Sequence, residues 1–170
     1  MSETPQQYTE RILSHSRGKD ALQLLKATPK KLEAQLKRLD KKAWSRRPEP
    51  NRWSVGEILA HLADAELVVS WRLRLVLGSP GVPIQAFDQD VWASTFNYGR
   101  QDPKRSLETF RVLRENNLAM LKSVPKQLWD NFGMHSERGK ETVAHMVKLY
   151  AGHDQNHLQQ IEKIVKEKRR

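Results

Sequence analysis

Apolar residues return every three or four positions over four long stretches of this chain, and no convincing strand alternation accompanies them. That period gathers them on one face of a helix, and helices striped in this way bury the stripe by packing on one another. The best-specified stretch begins at Ser54. Ser54 and Glu57 have capping-box spacing, and Trp53 and Ile58 are placed for a hydrophobic staple. Val55, Ile58, Leu59, Leu62, Val69, Leu73 and Val76 then hold the helical period until Gly78-Ser79-Pro80-Gly81 ends it. Upstream, a helical stretch opens at Arg17-Gly18-Lys19-Asp20 and is interrupted at Thr28-Pro29, where Thr28 can cap and Pro29 fits a first turn. Leu32, Leu36 and Leu39 carry that helix to about Lys42. A third helix is predicted over 104–123 on Leu107, Phe110, Leu113 and Leu121, and a fourth over 141–166 on Val143, Met146, Val147, Tyr150, Ile161, Ile164 and Val165. The pattern predicts an all-α four-helix bundle, antiparallel or crossover, with a long loop over 82–102 between its second and third helices. Residues 129–140 read as a connector or a short hairpin.

At 170 residues the chain suits one domain over 1–170, with a short leading segment at 1–16 and a basic tail at 166–170. No apolar run approaches the roughly 20 residues that cross a bilayer, and the first residues lack the pattern of a signal peptide, so a cytoplasmic location is expected. The absence of cysteine removes disulfides, thiolate ligands and a cysteine nucleophile, which leaves His, Asp and Glu to hold any metal. The net charge of +10 raises nucleic acid as a partner. Its excess lies in residues 1–50 and 101–170, on the polar face of one helix and in the tail, and no base-reading motif accompanies it. The charge therefore reads as solvated surface, and neither nucleic acid nor membrane is expected as a partner.

The histidines carry the chemistry. On a wheel of about 100° per residue, His153 and His157 fall about 60° and 20° from Tyr150, inside the arc of Val143, Met146, Ile161 and Ile164. They lie one turn apart on one face and can converge on one ion, or stand as hydrogen-bonded core residues. His61 lies about 100° from the centre of its helix's apolar stripe, at the edge toward a neighbouring helix. Bundle cores build metal sites from side chains on facing helices. His145, His135 and His15 are expected at the surface.

Four segments resemble the DinB-like superfamily of helical metal-binding proteins, which includes bacillithiol and mycothiol-dependent transferases and isomerases: WSVGEILAHLADAE at 53–66, FDQDVW at 87–92, GKET at 139–142 and GHDQNHLQQI at 152–161. The resemblance runs over nearly the whole chain. It implies a four-helix bundle, often a homodimer, with a metal triad at His61, His153 and His157.

Three neutral imidazoles leave a divalent ion its full charge and at least one position for water or substrate, which is the catalytic pattern. The donor set suits zinc, nickel, iron or copper better than magnesium or calcium, with manganese also a candidate. Such an ion lowers the pKa of bound water toward about 7 and ionises a bound thiol. The expected function is a metal-dependent enzyme that activates a small thiol or water for S-transfer or hydrolysis on a small molecule. The alternative is a non-catalytic, stress-linked metal-binding or nucleic-acid-associated protein. Asp64, one turn after His61, and Asp154, beside His153, are candidates to orient ligands or act as a base. Glu57 is explained by its cap. Phe87, Asp88, Trp92, Trp71 and Arg72 are candidates for the pocket mouth, and Arg114 for binding a substrate carboxylate.

Overall fold

A computed structural model describes residues 3–167, with all of their side chains except that of Lys41. Lys168, Arg169 and Arg170 of the expected basic tail lie outside the described residues. Four long helices form the bundle: α2 (Ala21–Leu36), α4 (Val55–Gly78), α6 (Pro103–Ser123) and α7 (Val143–Glu167). Shorter helices α1 (Pro5–Ser14), α3 (Lys41–Trp44) and α5 (Gln89–Thr95) join them. Helix α2 packs on α6 and α7, and α4 packs on the same two, so α2 and α4 stand diagonally although they are consecutive long helices. The leading segment at 1–16 thus holds a helix of its own, capped by Thr4 and seated on α7.

The expected break at Thr28-Pro29 does not occur. Helix α2 runs straight through, its N-cap being Asp20. Thr28 is buried and spends its hydroxyl on the Leu24 carbonyl at 3.0 Å rather than on a cap. Pro29 has no N–H to give the carbonyl of Leu25 one turn back, which ordinarily disfavours a mid-helix proline. Here Arg114 Nη1 donates to that carbonyl at 3.0 Å, so the proline costs no hydrogen bond. The helix then stops at Leu36, and residues 41–44 form the separate α3.

The connector after α6 contains the hairpin that the sequence hinted at. Strands β2 (Phe132–His135) and β3 (Gly139–Thr142) pair antiparallel, and β1 (Pro83–Ile84), from the long loop, adds in parallel to β2. Gly139 has φ of +77°, which a residue without Cβ adopts freely. Glu141 and Thr142, expected in the last helix, instead end β3, and the Thr142 hydroxyl accepts from His145 N at 3.0 Å to start α7.

Two apolar clusters fill the bundle. One gathers Leu32, Val55, Ile58, Leu62, Phe110 and Ile161, and the other Leu25, Val69, Leu73, Leu121, Met146 and Ala151. Between them lies a polar waist. Arg114 of α6 is 2% exposed and pairs with Glu66 of α4 at 2.7 Å and Asp154 of α7 at 2.6 Å. Asn117 donates to Glu66 at 2.7 Å, and its Nδ2 also lies 2.7 Å from Ser70 Oγ. Together with the Leu25 carbonyl, this one guanidinium touches all four long helices. Removing one member of such a buried set strands the opposite charges, at a cost of about 3–5 kcal/mol. Arg114→Met is therefore expected to lower the unfolding free energy by about that amount in urea titrations, whereas exposed Arg111→Met should change it by about 1 kcal/mol or less.

Candidate metal centre

Helix α4 is positioned from its first turn. Ser54 Oγ accepts from Glu57 N at 3.2 Å, Glu57 Oε2 accepts from Ser54 N at 2.8 Å, and Arg47 pairs with the same carboxylate. Trp53 packs against the apolar cluster that contains Ile58 and sets its ring 5.0 Å from that of His61. One turn after the capping box, His61 therefore points inward and is 2% exposed. His153 and His157, at 8% and 6%, come from the middle of α7.

The three imidazoles meet edge to edge. His61 Nε2 lies 3.0 Å from His153 Nε2, which lies 3.2 Å from His157 Nε2. Burial pushes all three pKa values down, that of His157 to about 4, and the neighbouring imidazoles push His61 and His153 further. The rings are therefore neutral at pH 7. His157 Nδ1 donates to Gln160 Oε1 at 2.9 Å, which leaves its Nε2 as a bare lone pair aimed at the cluster. A single Nε2–H on His153 can satisfy one neighbour but not both. Three nitrogens converging with too few protons suit a cation, and the 3.0 and 3.2 Å contacts are separations that nitrogens bonded at about 2.0–2.1 Å to one ion can adopt.

The structure brings together the three histidines named from the sequence, while the two carboxylates are engaged by partners outside the cluster. Asp64 is half-buried and accepts from Tyr98 Oη at 2.6 Å. Asp154 is engaged through both oxygens by Arg114. Among the described residues, neither carboxylate is hydrogen-bonded to a cluster imidazole. Arg114 does not face a substrate: its charge is answered inside the bundle by Glu66 and Asp154.

A cavity of about 280 Å³ opens on His61 and His153, with Arg72, Phe87, His135 and Tyr150 on its wall. On the other side, a cleft of about 320 Å³ reaches His157 past Trp53, Asn156 and Gln160, and Tyr8 of α1 lines both. Of the expected mouth residues, Phe87 and Arg72 line the cavity. Asp88 caps α5, Trp92 stacks on Phe87 at 4.6 Å, and Trp71 is 65% exposed. His135 is not a surface residue but is 3% exposed, because Gly133 and His135 form the inward side of β2. The short alternation at 132–135 was the available signal. His145 and His15 are half-buried.

Comparison with known proteins agrees with this arrangement. Residues 24–161 match the family model described as the DinB superfamily. A protein of Oceanobacillus iheyensis named "Putative metal-dependent hydrolase OB0782" is 25% identical over 116 residues, 68% of this chain and 67% of that protein. A Halalkalibacterium halodurans protein, "Putative metal-dependent hydrolase BH0277", is 24% identical over 138 residues, 81% and 80% of the two chains. The solved structure of YfiT from Bacillus subtilis, described as "a probable metal-dependent hydrolase with an unusual four-helix bundle topology", superposes with a TM-score of 0.80 at 20% identity, covering 98% of this chain and 90% of that one. That likeness establishes the bundle fold.

The depressed pKa values set an acid limit. His157 and His135 both lie near 4 in the folded chain, against an ordinary value of 6.5. Between those values the unfolded chain takes up protons that the folded one refuses, so stability is intact above about pH 6.5 and falls as pH drops toward 4. Urea midpoints of chelator-treated protein should decline through that window, and the decline should be shallower in His135→Asn.

Proposed function

Because the chain belongs to the DinB superfamily, we propose that it is a metal-dependent hydrolase of small molecules, its ion held by His61, His153 and His157. The observation that carries this reading is the convergence of three buried, neutral Nε2 atoms within 3.2 Å contacts at the head of a cavity. A divalent ion in that place keeps its full charge and supplies a Lewis acid. The chain's own residues do the rest. Gln160 fixes the tautomer and orientation of His157, and Asp154, locked by Arg114, holds the stretch of α7 that carries both histidines. Asp64 lies one turn after His61 on α4 with one oxygen engaged by Tyr98, and on that placement it is assigned as the proton acceptor, a role worth about 10²–10⁴ in rate.

The second cleft favours one further reading. It gives a cosubstrate its own approach to His157, so S-transfer from a low-molecular-weight thiol is the alternative reaction, the thiol being external because the chain has no cysteine. No described helix is long and apolar enough to cross a membrane. We take the protein to be cytoplasmic and homodimeric, with exposed Leu67 and Trp71, one turn apart on α4, as support for a partner copy.

Elemental analysis of the purified protein should find about one equivalent of zinc, nickel, iron, copper or manganese per chain. His61→Ala and His157→Ala are each expected to lose the metal and the hydrolysis of activated esters while keeping a helical spectrum. Asp64→Asn should keep the metal and lower kcat by about 10²-fold or more. Protein that carries no metal, with variants changed only in stability, would show a polar core cluster instead. Conjugation of an electrophile that requires added thiol, without ester hydrolysis, would select the transfer reaction.

A further inference from the structure

On the wall of the cavity that reaches His61 and His153 stands a guanidinium with no counter-ion. Arg72 is 5% exposed. Its hydrogen bonds go to neutral acceptors, the Gln85 carbonyl and the Tyr150 hydroxyl at 3.4 Å, and its carbon lies 5.8 Å from the centre of the Phe87 ring. Burial raises the pKa of Tyr150, so that hydroxyl brings no negative charge. The neighbouring cations are matched: Arg138 by Glu141 at 2.6 Å, Arg114 by Glu66 and Asp154, and Arg11 by Glu3. No carboxylate pairs with Arg72 among the described residues. The carboxylates on the cavity wall are Glu3 and Glu137, both exposed to water. A buried cation that no anion answers is costly, and that cost is recovered when an anion enters.

A second donor shares the wall. His135 Nδ1 accepts from the backbone N–H groups of Glu137 at 3.2 Å and Arg138 at 3.4 Å, which places the ring proton on Nε2. That Nε2–H is buried and has no acceptor. The sheet sets the two donors side by side: Ile84 pairs with His135 across β1 and β2, and the next residue, Gln85, carries the carbonyl that Arg72 grips.

We propose that Arg72 and His135 form an anion subsite in this cavity, and that the molecule bound beside the three histidines carries a carboxylate or phosphate-type group. The assignment of that molecule as substrate rests on the hydrolase reading, while the subsite is built from residues outside the histidine cluster. The guanidinium fork suits either anion, and the imidazole N–H adds a fixed neutral donor.

Calorimetric titration of the metal-loaded protein with benzoate, phenylphosphonate and neutral benzamide tests this, alongside Arg72→Gln, His135→Asn and His61→Ala. At least one anion should bind ten times more tightly than benzamide, equivalent to about 1.4 kcal/mol. The stronger of the two distinguishes a carboxylate from a phosphate-type ligand. Arg72→Gln and His135→Asn should each remove most of the preference, whereas His61→Ala should keep it despite losing its metal. Equal binding of all three compounds overturns the proposal. So does a preference that His61→Ala abolishes and Arg72→Gln leaves intact, because the anion then sits on the ion. If Arg72→Gln fails to fold, His135→Asn decides, since its amide oxygen still offers the two backbone N–H groups an acceptor; a loss of less than twofold overturns the subsite. Wild-type protein that takes up none of these metals yet retains the preference ends the hydrolase reading and leaves this one standing.

Discussion

The buried guanidinium of Arg114 is the constraint on which the rest of the bundle depends. Apolar contacts alone are non-directional, but two carboxylates and a proline-freed carbonyl, with the Asn117 amide donating to one of the carboxylates, accept only one arrangement around five N–H donors. Glu66 lies five residues after His61 on α4, and Asp154 lies between His153 and His157 on α7. Fixing those two carboxylates to α6 therefore fixes the angle at which α4 and α7 present their imidazoles. A rotation of either helix would bury an unpaired charge in one of the apolar clusters above and below the waist.

The candidate centre follows from that restraint and from burial. Desolvation keeps the imidazoles neutral, and neutrality leaves lone pairs where protonated rings would repel one another. The same desolvation acts on Arg72, which cannot shed its charge as a histidine can. One unanswered positive charge and one free N–H give that wall of the cavity a locally positive potential. Helix α1 closes it over: Tyr8 lines both openings, and the close approach of Ile12 to Gly152, where an added Cβ would lie 2.1 Å from the Ile12 carbonyl oxygen, seats α1 beside His153.

How much was legible in the sequence differs element by element. The start of α4 was readable because a capping box and its staple are local: every partner lies within five residues. His153 and His157 could be set in the core from periodicity, since an i, i+4 pair inside an apolar arc has one direction to face. Pro29 was misleading because its cost is cancelled by Arg114, 85 positions away in sequence, and no local rule contains that partner. His135 was placed outside because a four-residue strand is too short to display its alternation against a helical background.

By itself, then, the sequence determined that four striped helices must pack together, where the best of them begins, and that two histidines enter the core. It did so through interactions that close within a turn or two. Only the tertiary structure decided how closely His61 approaches those two, that Asp154 and Arg114 answer each other, and that Arg72 stands beside His135 without a carboxylate among the described residues. Each of those facts is a meeting of residues from different helices or strands, and charge compensation depends on distance in space, which one helix's periodicity does not encode.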